Sequence, residues 1–242
     1  LRFRSVIGSV SGKLQPFLPY ISDGGAFAPE KNIFAMLQNL SAVLVALLNY
    51  VKHAQLVSYY QSRRSDHFWK VLSAITAVLG FIAAFALGIV GDFSECDNGS
   101  LHYWAAFVTF VAASLHMMVA AGLSFLRPLL CSRPVAFLRV FIAALAAALL
   151  IFLLLTNKLG LFIPLGSNIT EYKGDDEPVF LEPNSPFYLH HNLASSSEWL
   201  FVFCILFYFV TLVDEFRKST LTLPYIHFYG ERQPTDFEKA TA

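Results

Sequence analysis

The sequence predicts an all-α fold, a polytopic bundle of transmembrane helices. Hydrophobic residues make up 56% of the 242-residue chain, charged residues make up 14%, and the mean hydropathy is +0.55. Five stretches approach the roughly 20 mostly apolar residues that a helix needs to cross a bilayer. A soluble domain could not bury this much apolar surface in one core. We therefore expect the chain to be a membrane protein.

The five predicted spans follow one another between two polar ends. The fourth has no ionisable side chain after Arg139, and the fifth has a short apolar run with aromatic flanks such as Trp199, which suit the membrane interface. The chain thus divides into an N-terminal segment, 1–31, a helical bundle, 32–213, and a tail, 214–242. The spans are predicted at 32–52, 69–91, 103–126, 135–157 and 198–213.

The charges of the loops alternate along the chain and predict its orientation. Basic residues lie in the loops 53–68 and 127–134 and in the tail, which should face the cytoplasm by the positive-inside rule. Acidic residues dominate the loops 92–102 and 158–197, which should face a lumen or the cell exterior. The same alternation places the N-terminal segment on the lumenal side.

Residues open to modification agree with this orientation. Each acidic loop carries an N-glycosylation acceptor sequence, at Asn98 and at Asn168. The three cysteines fall in three different places, Cys96 in a lumenal loop, Cys131 in a cytoplasmic loop and Cys204 in the last span. No two of them share a compartment, so a disulfide framework is not expected.

The overall charge gives no indication of a charged soluble partner. The 17 Lys and Arg residues balance the 17 Asp and Glu residues, so nucleic acid is not an expected partner. Membrane lipids, other membrane proteins and cytoplasmic adaptors are the partner classes that fit. The sequence lacks nucleotide-binding and zinc-protease motifs, and we expect no cofactor and no metal.

Several polar side chains should gather at the lumenal ends of the spans. Asp23 and Glu30 precede the first span, His102 opens the third, and Glu198 opens the fifth. In the simpler interpretation these groups only solvate helix ends and complement helix dipoles. In the alternative interpretation they form the catalytic set of a lumenal-face enzyme, with His102 and the carboxylates as general acids and bases acting on lipid head groups or acyl chains.

Several polar residues lie within the predicted spans, and three of them are candidates for a functional role. They are Asn39 and Asn49 in the first span and His116 in the third. Lipid cannot satisfy such groups, so they should face the bundle interior, either making hydrogen bonds between helices or lining a substrate path. The spans contain no central carboxylate of the kind that a proton-coupled transporter uses.

The tail contains a short pattern that adaptor proteins read for endosomal and lysosomal sorting. It runs from Tyr225 to Phe228, a tyrosine followed three positions later by a bulky hydrophobic residue, about ten residues past the last span. In a chain so rich in Tyr and Phe the pattern is expected by chance. Its position on the tail is the observation in its favour.

One segment resembles a known family. SGKLQPFLPYISDGGAFAPEKNIFAMLQNLSA, at 11–42, is similar to the first lumenal loop and following span of the damage-regulated autophagy modulator (DRAM) family, within the larger FRAG/DRAM/SFK superfamily. IVGDF at 89–93, the histidine at 102 and SEW at 197–199 followed by FYFVTLVDEF extend the resemblance over most of the chain. The residues of the lumenal motif are Pro19, Tyr20, Ile21, Ser22, Asp23, Pro29 and Glu30.

The resemblance implies a fold, a compartment and a function. Family members resemble six-span proteins with both termini in the cytoplasm, so we expect that a first span is missing here. The resemblance implies a lysosomal or late endosomal membrane protein that modulates autophagy, which we interpret as a non-enzymatic role through lipid or protein contacts. Related branches imply the alternative of a plasma-membrane regulator of phosphoinositide kinase recruitment or of channel activity. The long acidic loop 158–197 departs from the family pattern.

Overall fold

The computed structural model describes residues 18–62, 67–126, 131–167 and 181–219. Within these ranges every regular element is helical, and five of the helices are long and apolar enough to cross a membrane. The predicted all-α membrane bundle is thereby confirmed. After a 3₁₀ turn at Ser22–Gly25, the helices are α1 Glu30–Ser62, α2 His67–Asp92, α3 Glu95–Leu126, α4 Arg133–Leu159, α5 Tyr188–Val210 and the short α6 Val213–Phe216.

The long helices extend beyond the apolar runs that predicted them. Helix α1 continues ten residues past position 52, and α5 begins ten residues before position 198. An apolar count detects only the part of a helix that crosses hydrocarbon, whereas the backbone hydrogen bonds continue into the interface. Helix α3 changes direction at Asn98, which has non-helical backbone angles and accepts a hydrogen bond from the Leu101 N–H at 3.2 Å.

Helix α4 has recognisable start and stop signals. It begins at Arg133-Pro134, and proline suits the first turn because its missing N–H has no partner there in any helix. It ends at Gly160, which adopts the left-handed conformation at φ 61° and donates its N–H to the Thr156 carbonyl. The sequence therefore fixes both ends of this helix locally.

Helices that are consecutive in the chain pack against each other. Contacts join α1 to α2, α2 to α3, α3 to α4, and α4 to α5, with a smaller contact between α3 and α5. Small residues allow the close approach of α1 and α2: Gly80 faces Asn49, and Gly91 faces Gln38 and Ala35.

The largest apolar core joins α3, α4 and α5. Its centre includes Met117 of α3, Ala146 of α4, and Phe201 and Tyr208 of α5, all almost fully buried. The outward faces carry exposed large apolar side chains, as expected of helices in lipid. Helix α1 buries the smallest share of its apolar run and is held mainly by α2.

Candidate functional site

The residues of the family motif lie across one end of the bundle, which we call the motif end. Backbone groups of the segment bond to α5: the Ile21 N–H donates to Glu198 Oε2 at 3.1 Å, and Trp199 Nε1 donates to the Pro19 carbonyl at 2.9 Å. The Tyr20 hydroxyl donates to Asn157 Oδ1 of α4 at 3.2 Å. The segment is therefore fixed to helices far from it in the sequence.

Three carboxyl groups are buried at the motif end, one from the motif segment itself and two from α3 and α5. They belong to Asp23, Glu95 and Glu198, and we call them the acid cluster. Each is about 8% exposed. The Ser22 hydroxyl donates to Glu95 Oε2 at 3.2 Å, and the Tyr20 N–H donates to Asp23 Oδ2 at 2.8 Å. Successive residues of the motif thus engage all three carboxyl groups.

The acid cluster perturbs the ionisation of its own members. Burial, followed by the nearby charges of Glu95 and Glu198, raises the pKa of Asp23 well above its usual range. The Tyr20 N–H opposes this shift only partly. Asp23 is therefore able to hold a proton at a pH where an exposed aspartate is ionised.

His102 lies beside the acid cluster and is also buried. Its Nδ1 donates to the Phe93 carbonyl at 2.7 Å, which fixes the orientation of the ring. The side chain is close enough to Glu95 for their charges to interact. Of the four residues proposed from the sequence as a catalytic set, the structure thus brings Asp23, Glu198 and His102 to one region.

Glu30, the fourth of that set, has a different setting. It is the first residue of α1 and is half-buried, in a position where the helix dipole favours a carboxylate. Pro29 is exposed beside it. Lys31 pairs with Asp97 of α3, which links α1 to α3 at the same end of the bundle.

Sequence reasoning missed Glu95, which the structure places between Ser22, Asp23 and His102. In the sequence it is only one acid among several in a predicted loop. Asn98 interrupts the helical geometry between Glu95 and His102, so the spacing of the two residues did not distinguish Glu95 from the other acids of that loop.

Two adjacent histidines complete the polar surroundings of the motif end. The rings of His191 and Tyr20 meet edge to face, with centroids 5.0 Å apart. His190 Nδ1 donates to the Leu161 carbonyl at 2.7 Å. Among the residues that the structure describes, no group of three His, Cys, Asp or Glu side chains has a geometry that could hold a metal ion.

An apolar groove opens on the membrane-facing side of α2 and α3, next to the motif end. Its volume is about 550 Å³, and its lining includes Phe81, Phe85 and Ile89 of α2 and Trp104, Ala105 and Val108 of α3. Ala105 also belongs to a small apolar cluster with Phe34 and Val90, on which Ile21 packs. The groove therefore reaches the cluster on which the motif segment rests.

The three intramembrane polar residues make hydrogen bonds either to α2 or within their own helix. Asn39 Nδ2 donates to Asp92 Oδ1 at 2.6 Å, and His116 Nδ1 donates to the Thr76 carbonyl at 2.9 Å, so both connect to α2. Asn49 Nδ2 donates to the Val45 carbonyl of its own helix at 2.9 Å. Asn39 and His116 thus connect two helices, whereas Asn49 bonds within its own helix.

A second buried polar cluster lies at the opposite end of the bundle and was not expected from the sequence. Lys52 of α1 and Arg139 of α4 both pair with Glu215 of α6. Helices α1 and α6 lie near the two ends of the described chain. The ion pairs of Glu215 therefore connect the first helix of the bundle to its last.

Of the remaining residues proposed from the sequence, one lies in the part of the chain that the structure describes and three lie outside it. Asn98 is exposed at the bend in α3, as a glycan acceptor must be. Asn168, Tyr225 and Phe228 lie outside the described residues.

Comparison with known proteins gives matches over most of the chain. The profile of the Frag1/DRAM/Sfk1/Cwh43P N-terminal domain matches residues 4–219. The chain is 28% identical over 219 residues to human (Homo sapiens) DNA damage-regulated autophagy modulator protein 1, covering 90% of this chain and 85% of that protein. It is 26% identical over 209 residues to the human modulator protein 2, covering 86% and 75%.

A further match is partial. The chain is 32% identical over 108 residues to human Transmembrane protein 150A, covering 45% of this chain and 37% of that protein. No solved structure gives a significant match.

Proposed function

This chain belongs to the Frag1/DRAM/Sfk1/Cwh43P family, and we propose that it is a multi-pass membrane protein of the endolysosomal system that modulates autophagy. It acts through lipid or protein contacts and without catalysing a reaction. The relatives named as autophagy modulators match it over most of its length. In this proposal the motif end faces the lumen.

The observation that carries the proposed lipid contact is the apolar groove beside the motif end. Phe85 is 75% exposed on α2 and Trp104 is 65% exposed on α3, so a large ring lies on each side of the apolar groove. An acyl chain of the lumenal leaflet can pack against both rings, and because the surrounding lipid is itself apolar, the gain comes from van der Waals packing and not from removal of surface from water. The groove gives one lipid a preferred position.

Photoactivatable lipids test this contact directly. A lipid with a diazirine on its acyl chain should label peptides of α2 and α3 more strongly than those of α4 in purified protein. Ile82→Trp should reduce the labelling, because Ile82 lines the groove and is 43% exposed, so a larger side chain fills the groove without entering the core. Leu145→Trp is the matched control, since Leu145 is 42% exposed on α4. Even labelling around all five helices, unchanged in Ile82→Trp, would count against a specific lipid position.

The role in autophagy is tested in cells that lack the protein. Restoring the wild-type chain should change the turnover of a reporter that is degraded in lysosomes, and Ile82→Trp should restore it less well than Leu145→Trp. Equal rescue by both variants would show that the cellular role does not depend on the groove. No effect of the wild-type chain would contradict the proposed function itself.

The proposed compartment rests on the sorting pattern in the tail. Tyr225→Ala should shift the protein from lysosomes to the cell surface, as measured by surface biotinylation. Tyr229→Ala is a control, because the third residue after Tyr229 is Arg232 and the pattern is absent there. An unchanged distribution of Tyr225→Ala would remove the sorting interpretation.

A lumenal-face enzyme is a second candidate, favoured by the arrangement of the acid cluster and His102. A carboxyl group that retains its proton can act as a general acid, and a second, ionised carboxylate as a general base. Asp23, Glu95 and Glu198 lie in one buried region with His102 beside Glu95. The groove would then position an acyl chain next to the reacting groups.

Reconstitution distinguishes the two candidates. Purified protein in liposomes should leave lipids unchanged if the non-enzymatic proposal is correct. Hydrolysis or transfer of an acyl group by the wild-type protein, lost in both His102→Ala and Glu198→Gln, would establish the enzyme. Retention of the activity in both variants would indicate a contaminating enzyme.

A further inference from the structure

The acid cluster joins three parts of the chain that are distant in sequence. Ile21 donates to Glu198 across 177 positions, and Ser22 donates to Glu95 across 73 positions. Asp23, in the same short segment, is buried with them. We propose that residues 19–25 form a strap that is closed over the motif end when the acid cluster holds protons and that opens as the cluster ionises. The proposal goes beyond the proposed function and concerns how the motif end responds to pH.

Three buried carboxyl groups in one cluster cannot all be ionised. Each charge loses its hydration, and each like-charged neighbour raises the cost of the next ionisation. The side chains that act on the carboxyl of Asp23 are Glu95 and Glu198, which repel a negative charge there. The cluster must therefore hold at least one proton while the strap is closed.

The surrounding elements supply few groups that could neutralise the cluster. Among the described residues, α1 contributes Glu30 and Lys31, and the lysine is paired with Asp97. Helix α2 ends with Asp92, which is bonded to Asn39. Other titratable or charged groups at this end are His102 and Cys96 of α3, Lys158 at the exposed end of α4, Glu182 before α5, and His190 and His191 of α5. Of these, His102 is the one whose charge acts on Glu95.

The geometry of Glu95 indicates where a proton is held. Its Oε2 accepts from Ser22, whereas its Oε1 is buried with no hydrogen-bond partner among the described residues. Asp23 and Glu95 are close enough to form a side-chain hydrogen bond. A proton shared between these two carboxyl groups stabilises the pair, and its loss leaves two buried negative charges close together.

The direction of the pH response follows from this arrangement. In the closed state Asp23 binds its proton more tightly than an exposed aspartate does, whereas in the open state its carboxyl group is hydrated and ionises normally. Rising pH therefore favours opening, by up to about tenfold in the equilibrium per pH unit for each proton released. The bonds from Trp199 to Pro19 and from Tyr20 to Asn157 involve neutral groups and do not change with protonation of the cluster. An acidic lumen would keep the strap closed.

A spin label on the strap tests the proposal in nanodiscs, where both faces meet the same buffer. Gly24→Cys is a suitable site, because a Cβ there meets nothing within 4 Å. The native cysteines are replaced by Cys96→Ser, Cys131→Ser and Cys204→Ala. The mobile component of the nitroxide spectrum should increase severalfold between about pH 5 and about pH 7.5. Asp23→Asn should keep the label immobile at both values, because the asparagine side chain keeps an acceptor for the Tyr20 N–H and carries no charge.

Matched controls separate strap opening from other effects. Asp97→Asn removes an exposed carboxylate outside the cluster and should leave the pH response unchanged. A label at Gly122→Cys, also in open space but within α3, should not change with pH. If Asp23→Asn does not fold, Glu198→Gln serves in its place, and its label should likewise be less mobile at neutral pH.

Three results would overturn the proposal. One is a parent spectrum at Gly24→Cys that does not change with pH. The second is a pH response that persists unchanged in both Asp23→Asn and Glu198→Gln, and the third is a response that appears equally at Gly122→Cys. None of these results bears on autophagy, so failure of the strap and failure of the proposed function are distinguishable.

Discussion

Arg139 and Glu215 form an ion pair at the end of the bundle opposite the motif. Arg139 Nη1 lies 2.5 Å from Glu215 Oε1, and the two side chains are 0% and 2% exposed. Arg139 also donates to the Thr211 side chain at 2.8 Å, to the Thr211 carbonyl at 2.7 Å and to Ser124 Oγ at 3.0 Å. Lys52 occupies the other carboxylate oxygen of Glu215. One carboxylate thus holds together α1, α4 and α6, with α3 attached through the arginine.

Glu215→Ala should destabilise the protein strongly. The substitution leaves Arg139 buried without its counter-charge and removes the partner of Lys52, and breaking a buried pair costs about 3–5 kcal/mol. The measurement is the thermal midpoint in detergent with the helical circular dichroism signal as the probe. Asp214→Ala is the control, since Asp214 is 67% exposed and pairs with Lys218 on the same surface. Its thermal midpoint should stay close to that of the wild-type protein.

The double variant Arg139→Met with Glu215→Leu should be more stable than Glu215→Ala alone. Removing both buried charges avoids the uncompensated cation, and apolar side chains of similar volume often replace a buried pair without loss. Lys52 keeps access to water because its side chain is 19% exposed. If the double variant is no better than Glu215→Ala, the hydrogen bonds of Arg139 to Thr211 and Ser124 dominate, and the ion pair is not the main contribution.

Gly91→Ala should weaken the packing of α1 on α2. A Cβ at position 91 would lie 2.7 Å from the Gln38 Cβ and 3.3 Å from the Ala35 carbonyl oxygen, so the two backbones must separate. Overpacking of this kind costs about 1–3 kcal/mol. Gly122→Ala is the matched control, because its Cβ meets nothing within 4 Å, and it should gain up to about 1 kcal/mol from helix propensity. Equal thermal midpoints for the two variants would contradict the close approach.

Asn98 should carry a glycan through Nδ2 while its Oδ1 caps the following helical turn. Asn98→Asp removes the glycan and retains a capping oxygen for the Leu101 N–H, whereas Asn98→Ala removes both. Each should reduce the glycosidase-sensitive mobility shift by one glycan in protein expressed in cells, with any shift from Asn168 remaining. Unglycosylated Asn98→Ala should be less stable than Asn98→Asp by about 1 kcal/mol. A mobility shift as large in both variants as in the wild-type protein would contradict a glycan at Asn98.

Asp23→Asn should raise the stability of the protein at neutral pH more than at acidic pH. Burial and the charges of Glu95 and Glu198 raise the pKa of Asp23 in the folded state, so the folded chain binds more protons than the unfolded chain. The contribution of Asp23 to the stability of the wild-type protein is therefore fully present below its unfolded pKa of about 3.9 and is lost as the pH rises through the folded pKa. Asparagine removes this loss. Thermal midpoints measured across the pH range check the sign, and a benefit of Asp23→Asn that is larger at acidic pH would refute it.

Most residues of the candidate site could be named from the sequence, but the contacts between them could not be predicted from it. The places of Asp23, His102 and Glu198 near span ends, together with the family resemblance, were enough to name them and the motif residues. Their convergence required the partner that joins them, Glu95, and this partner was indistinguishable from other acids of its loop. The same reasoning also selected Glu30, which is not part of the acid cluster. The structure places it half-buried at the start of α1.

The sequence by itself determined the class of the protein, the number and order of the long apolar helices in the described chain, and the family. These depend on local composition, because crossing hydrocarbon requires about 20 apolar residues in a row. The tertiary structure alone decided which polar groups meet. Ile21 with Glu198, Ser22 with Glu95, and Arg139 with Glu215 are pairs between 73 and 177 positions apart. Buried polar groups must find hydrogen-bond partners, but only the packing of the helices decides which partners are within reach.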